Sequence, residues 1–95
     1  MKVELLLRKL SDFFSLSVQE LGNAIVLAGG NIRIKFEGRT LHLETEEGEL
    51  KIPEEQIEDF DFFSKTKHCK IKLKNGVMRI YPEEGERFRF FVSLK

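Results

Sequence analysis

From residue 15 onward, short runs of alternating apolar and polar residues are separated by tight turn sequences. These are Gly22-Asn23, Gly29-Gly30, Glu37-Gly38, Glu46-Glu47-Gly48-Glu49, Asn75-Gly76 and Glu83-Glu84-Gly85. A period of two places alternate side chains on opposite faces of a strand, and connections this short join antiparallel neighbours. The pattern predicts a mainly β (α+β) protein. It would be an antiparallel meander of six to eight strands, forming a rolled sheet or barrel. Ninety-five residues make one domain, 1–95. With 41% hydrophobic residues, nine of them Phe, a core can form without metal or disulfide.

Residues 3–14 have a different period. Val3, Leu6, Leu7, Leu10, Phe13 and Phe14 follow the spacing of a single helical stripe, with Glu4, Arg8, Lys9 and Asp12 off it. This predicts one N-terminal amphipathic helix lying on an apolar face of the sheet or plugging one end of it. Residues 15–28 suit a hairpin about Gly22-Asn23, or a short helical turn with Ser17 as its N-cap. Pro53, Glu54 and Glu55 suit a single helical turn leading into a strand that holds Phe60 and Phe62. Residues 87–94 read as a strand, with a helix carrying Phe88, Phe91 and Val92 as the competing form.

Turn positions give expected registers. A loop at Glu37-Gly38 sets Ile34 opposite Leu41 and Ile32 opposite Leu43. The next loop sets Leu43 opposite Ile52 and Glu44 opposite Lys51. Asn75-Gly76, a strong hairpin signal, sets Leu73 opposite Met78 and Ile71 opposite Ile80. The last loop sets Phe88 opposite Ile80 and Phe90 opposite Met78. In every case the apolar side chains share one face, so pattern and register agree.

The stretch GRTLHLETEEGELKIPEEQIEDFDFF resembles part of the small pleckstrin-homology-like modules of bacteria and archaea, in which a meander is followed by an Ile-Pro, acidic, Ile step. The resemblance implies a β module closed by a C-terminal helix, and the C-terminal alternation departs from that. The whole chain also resembles uncharacterised small proteins of hyperthermophilic archaea, a resemblance that implies no activity. Abundant Glu and Lys with little Gln, Asn and Cys fits that thermophilic character.

Charge is balanced at sixteen basic and sixteen acidic residues, but it is segregated. Residues 37–64 hold two basic and ten acidic groups; residues 65–95 hold nine and three. The single cysteine, Cys69, cannot form an intramolecular bridge and favours a reducing compartment. Charges interrupt the N-terminal apolar run, so neither a signal h-region nor a membrane span is expected, and the location expected is cytoplasmic.

The search for chemistry predicts no enzyme and no cofactor. Cys69 shares its face with Ile71 and Leu73 and should be a buried thiol, whereas its neighbour His68 points outward. His42 also points outward, so three converging metal ligands are not expected. Glu54, Glu55, Glu58, Asp59 and Asp61 read as a solvated acidic segment, and Gly29-Gly30 lacks the lysine and third glycine of a phosphate loop. One constellation remains: Lys70, Lys72, Lys74, Arg79, Tyr81, Arg87 and Arg89 share the outer face of the C-terminal strands. The expected registers put Lys72 opposite Arg79, Arg79 opposite Arg89, Arg87 opposite Tyr81 and Phe91 opposite Val77. Like charges facing across a sheet cost stability, so something should offset them. Two readings follow. The first is a small non-enzymatic interaction module of unknown process, acting as a homo-oligomer or with an unknown protein partner. Its basic face would be neutralised by the acidic segment, and its surplus aromatics (Phe13, Phe14, Phe62, Phe63, Phe91) hidden in an interface. The alternative is a binder of single-stranded nucleic acid or another polyanion.

Overall fold

The computed structural model describes residues 2–85 and 87–95. A helix, α1 (Lys2–Phe14), precedes five strands: β1 (Ser17–Leu21), β2 (Ala24–Gly29), β3 (Ile32–Glu37), β4 (Thr40–Thr45) and β5 (Gly48–Pro53). A single 3-10 turn at Glu54–Gln56 leads into β6 (Ile57–Phe63), β7 (His68–Leu73), β8 (Gly76–Glu83) and β9 (Arg87–Leu94). Each sheet is an antiparallel meander, one ordered β1-β2-β3-β4-β5 and the other β6-β7-β8-β9. No helix among the described residues is long and apolar enough to cross a membrane.

The mainly β class, the helix and the meander are as expected; the strand count and closure are not. Among the described residues there are nine strands, not six to eight, because 17–21, 57–63 and 87–94, each with a competing helical or mixed pattern, are all extended. No barrel closes. Pro53 has no N–H to continue a ladder, and the 3-10 turn after it carries the chain from one sheet to the other.

The hairpin at Gly22-Asn23 has the expected position, with Leu21 opposite Ala24. The later registers are each displaced by two residues. Ile34 faces Leu43 and Phe36 faces Leu41; Leu43 faces Leu50 and Leu41 faces Ile52. Ile71 faces Met78 and Cys69 faces Ile80; Ile80 faces Phe90 and Met78 faces Val92. A shift of two preserves the face of every side chain, so the core composition is unaffected. The expected Glu44–Lys51 pair is lost: Glu44 faces Glu49, and Lys51 faces His42.

Local chemistry accounts for the shifts at β3–β4 and β7–β8. The β3–β4 turn is Gly38-Arg39, with φ of 59° and 60°, the two left-handed positions that a tight hairpin needs. Arg39 tolerates this while its Nε donates to Glu54 Oε2 at 3.1 Å. At β7–β8 the turn residues are Lys74-Asn75, and Gly76 already belongs to β8. A Cβ at position 76 would lie 2.2 Å from the carbonyl oxygen of Ser93, so this glycine lets β9 approach β8 rather than making the turn.

The sheets bury one core. Val3, Leu6, Leu7 and Leu10 on α1 join Ile34, Leu41 and Leu43 of the first sheet and Cys69, Ile71, Met78 and Ile80 of the second. The helix end is fixed by edge-on ring contacts, Phe13 to Phe62 on β6 at 5.0 Å and Phe14 to Phe88 on β9 at 5.1 Å. Of the adjacent pair on β6, Phe62 packs inward and Phe63 is exposed, as a strand requires.

Candidate functional site

Alternation along β7, β8 and β9 sends Cys69, Ile71, Met78 and Ile80 inward, and thereby sends Lys70, Lys72, Arg79, Tyr81, Arg87 and Arg89 outward. Lys74 is exposed at the β7–β8 turn. The structure thus brings the basic candidates onto one face, in rows different from those expected. Arg79 faces Lys70, not Lys72, and its other neighbour is Phe91, not Arg89. Arg89 faces Tyr81, and Arg87 faces Glu83.

The cations divide into two groups. Arg87 Nη2 meets Glu46 Oε2 at 3.0 Å. Arg89 Nε meets Glu83 Oε1 at 2.9 Å, and its Nη2 lies 3.9 Å from Glu47. Both are thus neutralised, Arg87 by the β4–β5 turn and Arg89 chiefly by Glu83 of β8. Lys70, Lys72, Lys74 and Arg79 have no ion pair within 4.0 Å among the described residues.

The acidic segment does not cover them. Asp59 and Asp61 sit in β6, beside Lys72 and Lys70 in the same sheet. Glu54 is engaged by Arg39, and Asp59 Oδ1 accepts the N–H of Phe60 at 2.8 Å. The face therefore carries opposed charges along one edge and stays open above.

An aromatic row crosses this face. Phe63 stacks on His68 with centroids 4.6 Å apart and planes 15° apart; His68 stacks on Tyr81 at 4.8 Å and 21°. Phe91 meets Tyr81 edge-on at 5.4 Å. The inner rings cover one another, while Phe63 and Phe91 at the two ends are 41% and 50% exposed. Sequence reasoning missed Phe63 and His68 as members. Alternation already turned both outward, but only the register set by the Lys74-Asn75 turn brings His68 beside Tyr81. Partial burial, and then the Arg79 guanidinium, hold the His68 imidazole below its ordinary value, which keeps the row neutral. Thr66 Oγ1 lies 2.5 Å from His68 Nδ1 and fixes the ring.

Among the described residues nothing comparable assembles elsewhere. Cys69 is fully buried, and burial, with Asp61 second, pushes its thiol up to about 12, so it is not a nucleophile at neutral pH. His42 faces Lys35 and Lys51 and approaches Glu49 at 3.5 Å. No three His, Cys, Asp or Glu residues among the described ones converge as metal ligands do. No protein family, curated protein or solved structure matches the chain.

Proposed function

We propose that the chain is a non-enzymatic binding module that holds single-stranded nucleic acid on the outer face of β6–β9. The observation that carries this is the Lys70–Arg79 pair, facing each other beside the aromatic row with no ion pair within 4.0 Å among the described residues. Two like charges directly opposite in a sheet destabilise it, and a phosphate between them reverses the sign of that term. Lys70, Lys72, Lys74 and Arg79 track the backbone, while the exposed rings of Phe63 and Phe91 receive bases. His68 and Tyr81, stacked on each other, act as the rigid spine between those two positions. Stacking is sequence-tolerant because every base has a π-face, so weak sequence preference is expected. A buried unpaired thiol accords with a reducing, cytoplasmic setting.

Fluorescence anisotropy with short single-stranded RNA and DNA tests this directly. Binding should weaken steeply with salt, as phosphate neutralisation releases counterions. Replacing Lys70 and Arg79 together by Gln should weaken binding to all sequences. Phe91→Ala should cost about 1–3 kcal/mol, the stacking of one base. No binding at low ionic strength overturns the proposal.

A further inference from the structure

The C-terminal half of β9 is a sheet edge with no strand paired to its outer side. The carboxamide of Asn31, in the β2–β3 turn, accepts the N–H of Phe88 at 2.6 Å and donates to its carbonyl at 3.0 Å. Phe88 lies opposite Pro82, which has no N–H to offer. The backbone groups of Phe88 therefore point away from β8. In an antiparallel pair such residues alternate, so Phe90, Val92 and Leu94 point the same way. Lys95, on the opposite phase, donates its N–H to Asn75 at 2.9 Å, as this alternation requires. Asn31 caps the edge at Phe88; among the described residues no hydrogen bond reaches it at 90, 92 or 94, where Leu50, Lys51 and Ile52 of β5 share an open cleft with Val92 and Leu94.

The other sheet edges carry protection that this one lacks. β1 carries Glu20; β5 ends in Pro53 and carries Glu49 and Lys51. β6 is irregular between Ile57 and Asp59 and bears Glu58, Asp59 and Asp61. Charges, prolines and bulges of this kind are what keep edges from pairing. Residues 90–94 are Phe-Phe-Val-Ser-Leu, with none of them. Phe91, Val92 and Leu94 are 50%, 41% and 67% exposed, one residue on the outer face and two on the inner.

We infer that this edge pairs with the same edge of a second copy of the chain. Unpaired strand groups call for another strand, and residues 90–94 are self-complementary about their midpoint. A two-fold axis at Val92 sets Val92 against its own counterpart and Phe90 against the partner's Leu94, each pair exchanging both backbone bonds. Phe91 then faces the partner's Ser93. The Asn31 cap at Phe88 sets the limit, because pairing cannot run past it. Just beyond the paired stretch, Arg89 is already bound to Glu83 and Glu47 and adds little repulsion against the partner's Lys95. The result is one continuous eight-stranded sheet, in which the outer faces of two copies adjoin.

Sedimentation velocity on the full chain, without nucleic acid, tests this independently of the binding proposal. A dimer is expected at micromolar concentration. Val92→Pro removes an outward N–H and no bond to β8, so it should keep the fold by circular dichroism and raise the dimer dissociation constant by roughly tenfold or more, through two lost backbone bonds. Leu94→Lys, a surface change that does not touch β8–β9 pairing, should do likewise. A wild-type chain that stays monomeric, including one whose edge takes only unrelated peptides, overturns the inference. So does a dimer whose affinity is unchanged in both variants.

Discussion

Asn31 and Phe88, fifty-seven residues apart, form a two-bond pair in which a side-chain amide stands in for a missing strand. It ties the β2–β3 turn of one sheet to β9 of the other. Among the described residues the sheets share no ladder, and this pair joins the Arg87–Glu46 and Arg89–Glu47 ion pairs and the common core in holding them together. Asn31→Ala should lower stability by about 1–3 kcal/mol, the scale of orphaning part-buried backbone groups. Asn31→Asp keeps the acceptor but turns a carboxylate oxygen toward the carbonyl of Phe88, so it should be no better than Ala. Thermal or urea melts of the three proteins check this.

Core positions should respond by burial rather than by chain location. Leu10 and Ile71 are fully buried, one on α1 and one on β7. Truncating either to Ala should cost about 2–5 kcal/mol, with the spread set by how far the cavity collapses. Arg8→Ala, on the exposed side of the same helix, should change the unfolding midpoint little. A larger effect at Arg8 than at Leu10 is inconsistent with the helix phase described above.

The residues show why some of the fold was legible and some was not. Helix 3–14 was readable because six apolar residues repeat at helical spacing. Inward and outward faces were readable because period two survives any even shift in register. The registers themselves were not, since a turn sequence names a neighbourhood and not its two central residues. Arg39, a non-glycine in the left-handed region, lies where propensity would not put it, and Gly76 serves the approach of β9. The same two-residue error hid the aromatic row, because it placed Tyr81 opposite Lys70 instead of His68. Barrel closure depended on whether the two outer edges meet, which no local pattern encodes.

The stacked His68 should make stability depend on pH. Its folded-state affinity for protons is depressed, so the fold prefers the neutral ring. Well above the unfolded-state value of about 6.5 the ring is neutral in both states and its full contribution is present. As pH falls below that value the unfolded chain binds the proton first, and stability is lost until the folded-state value is passed. Melting temperatures of wild type and His68→Phe between pH 5 and 8 should diverge on the acidic side, with the variant less sensitive. Equal slopes for the two proteins would show that His68 does not carry this pH dependence.

Along one row of the outer face, Asp61, Lys70 and Arg79 are successive neighbours on β6, β7 and β8. Opposite substitutions in that row should act with opposite signs. Arg79→Gln removes the like charge facing Lys70, so stability should hold or rise by a few tenths of a kcal/mol, on the order of one cross-strand pair. Its binding to single strands should weaken, and the slope of log affinity against log salt should fall by about 0.7, one phosphate contact. Asp61→Asn does the reverse: Lys70 is left facing only Arg79, so stability drops slightly while the face becomes more positive and binding tightens. If the face were merely a balanced internal charge array, both substitutions would lower the melting temperature and neither would alter oligonucleotide binding. Melts and salt titrations on the two single variants therefore separate a binding surface, held at some cost to the fold, from one that only supports it.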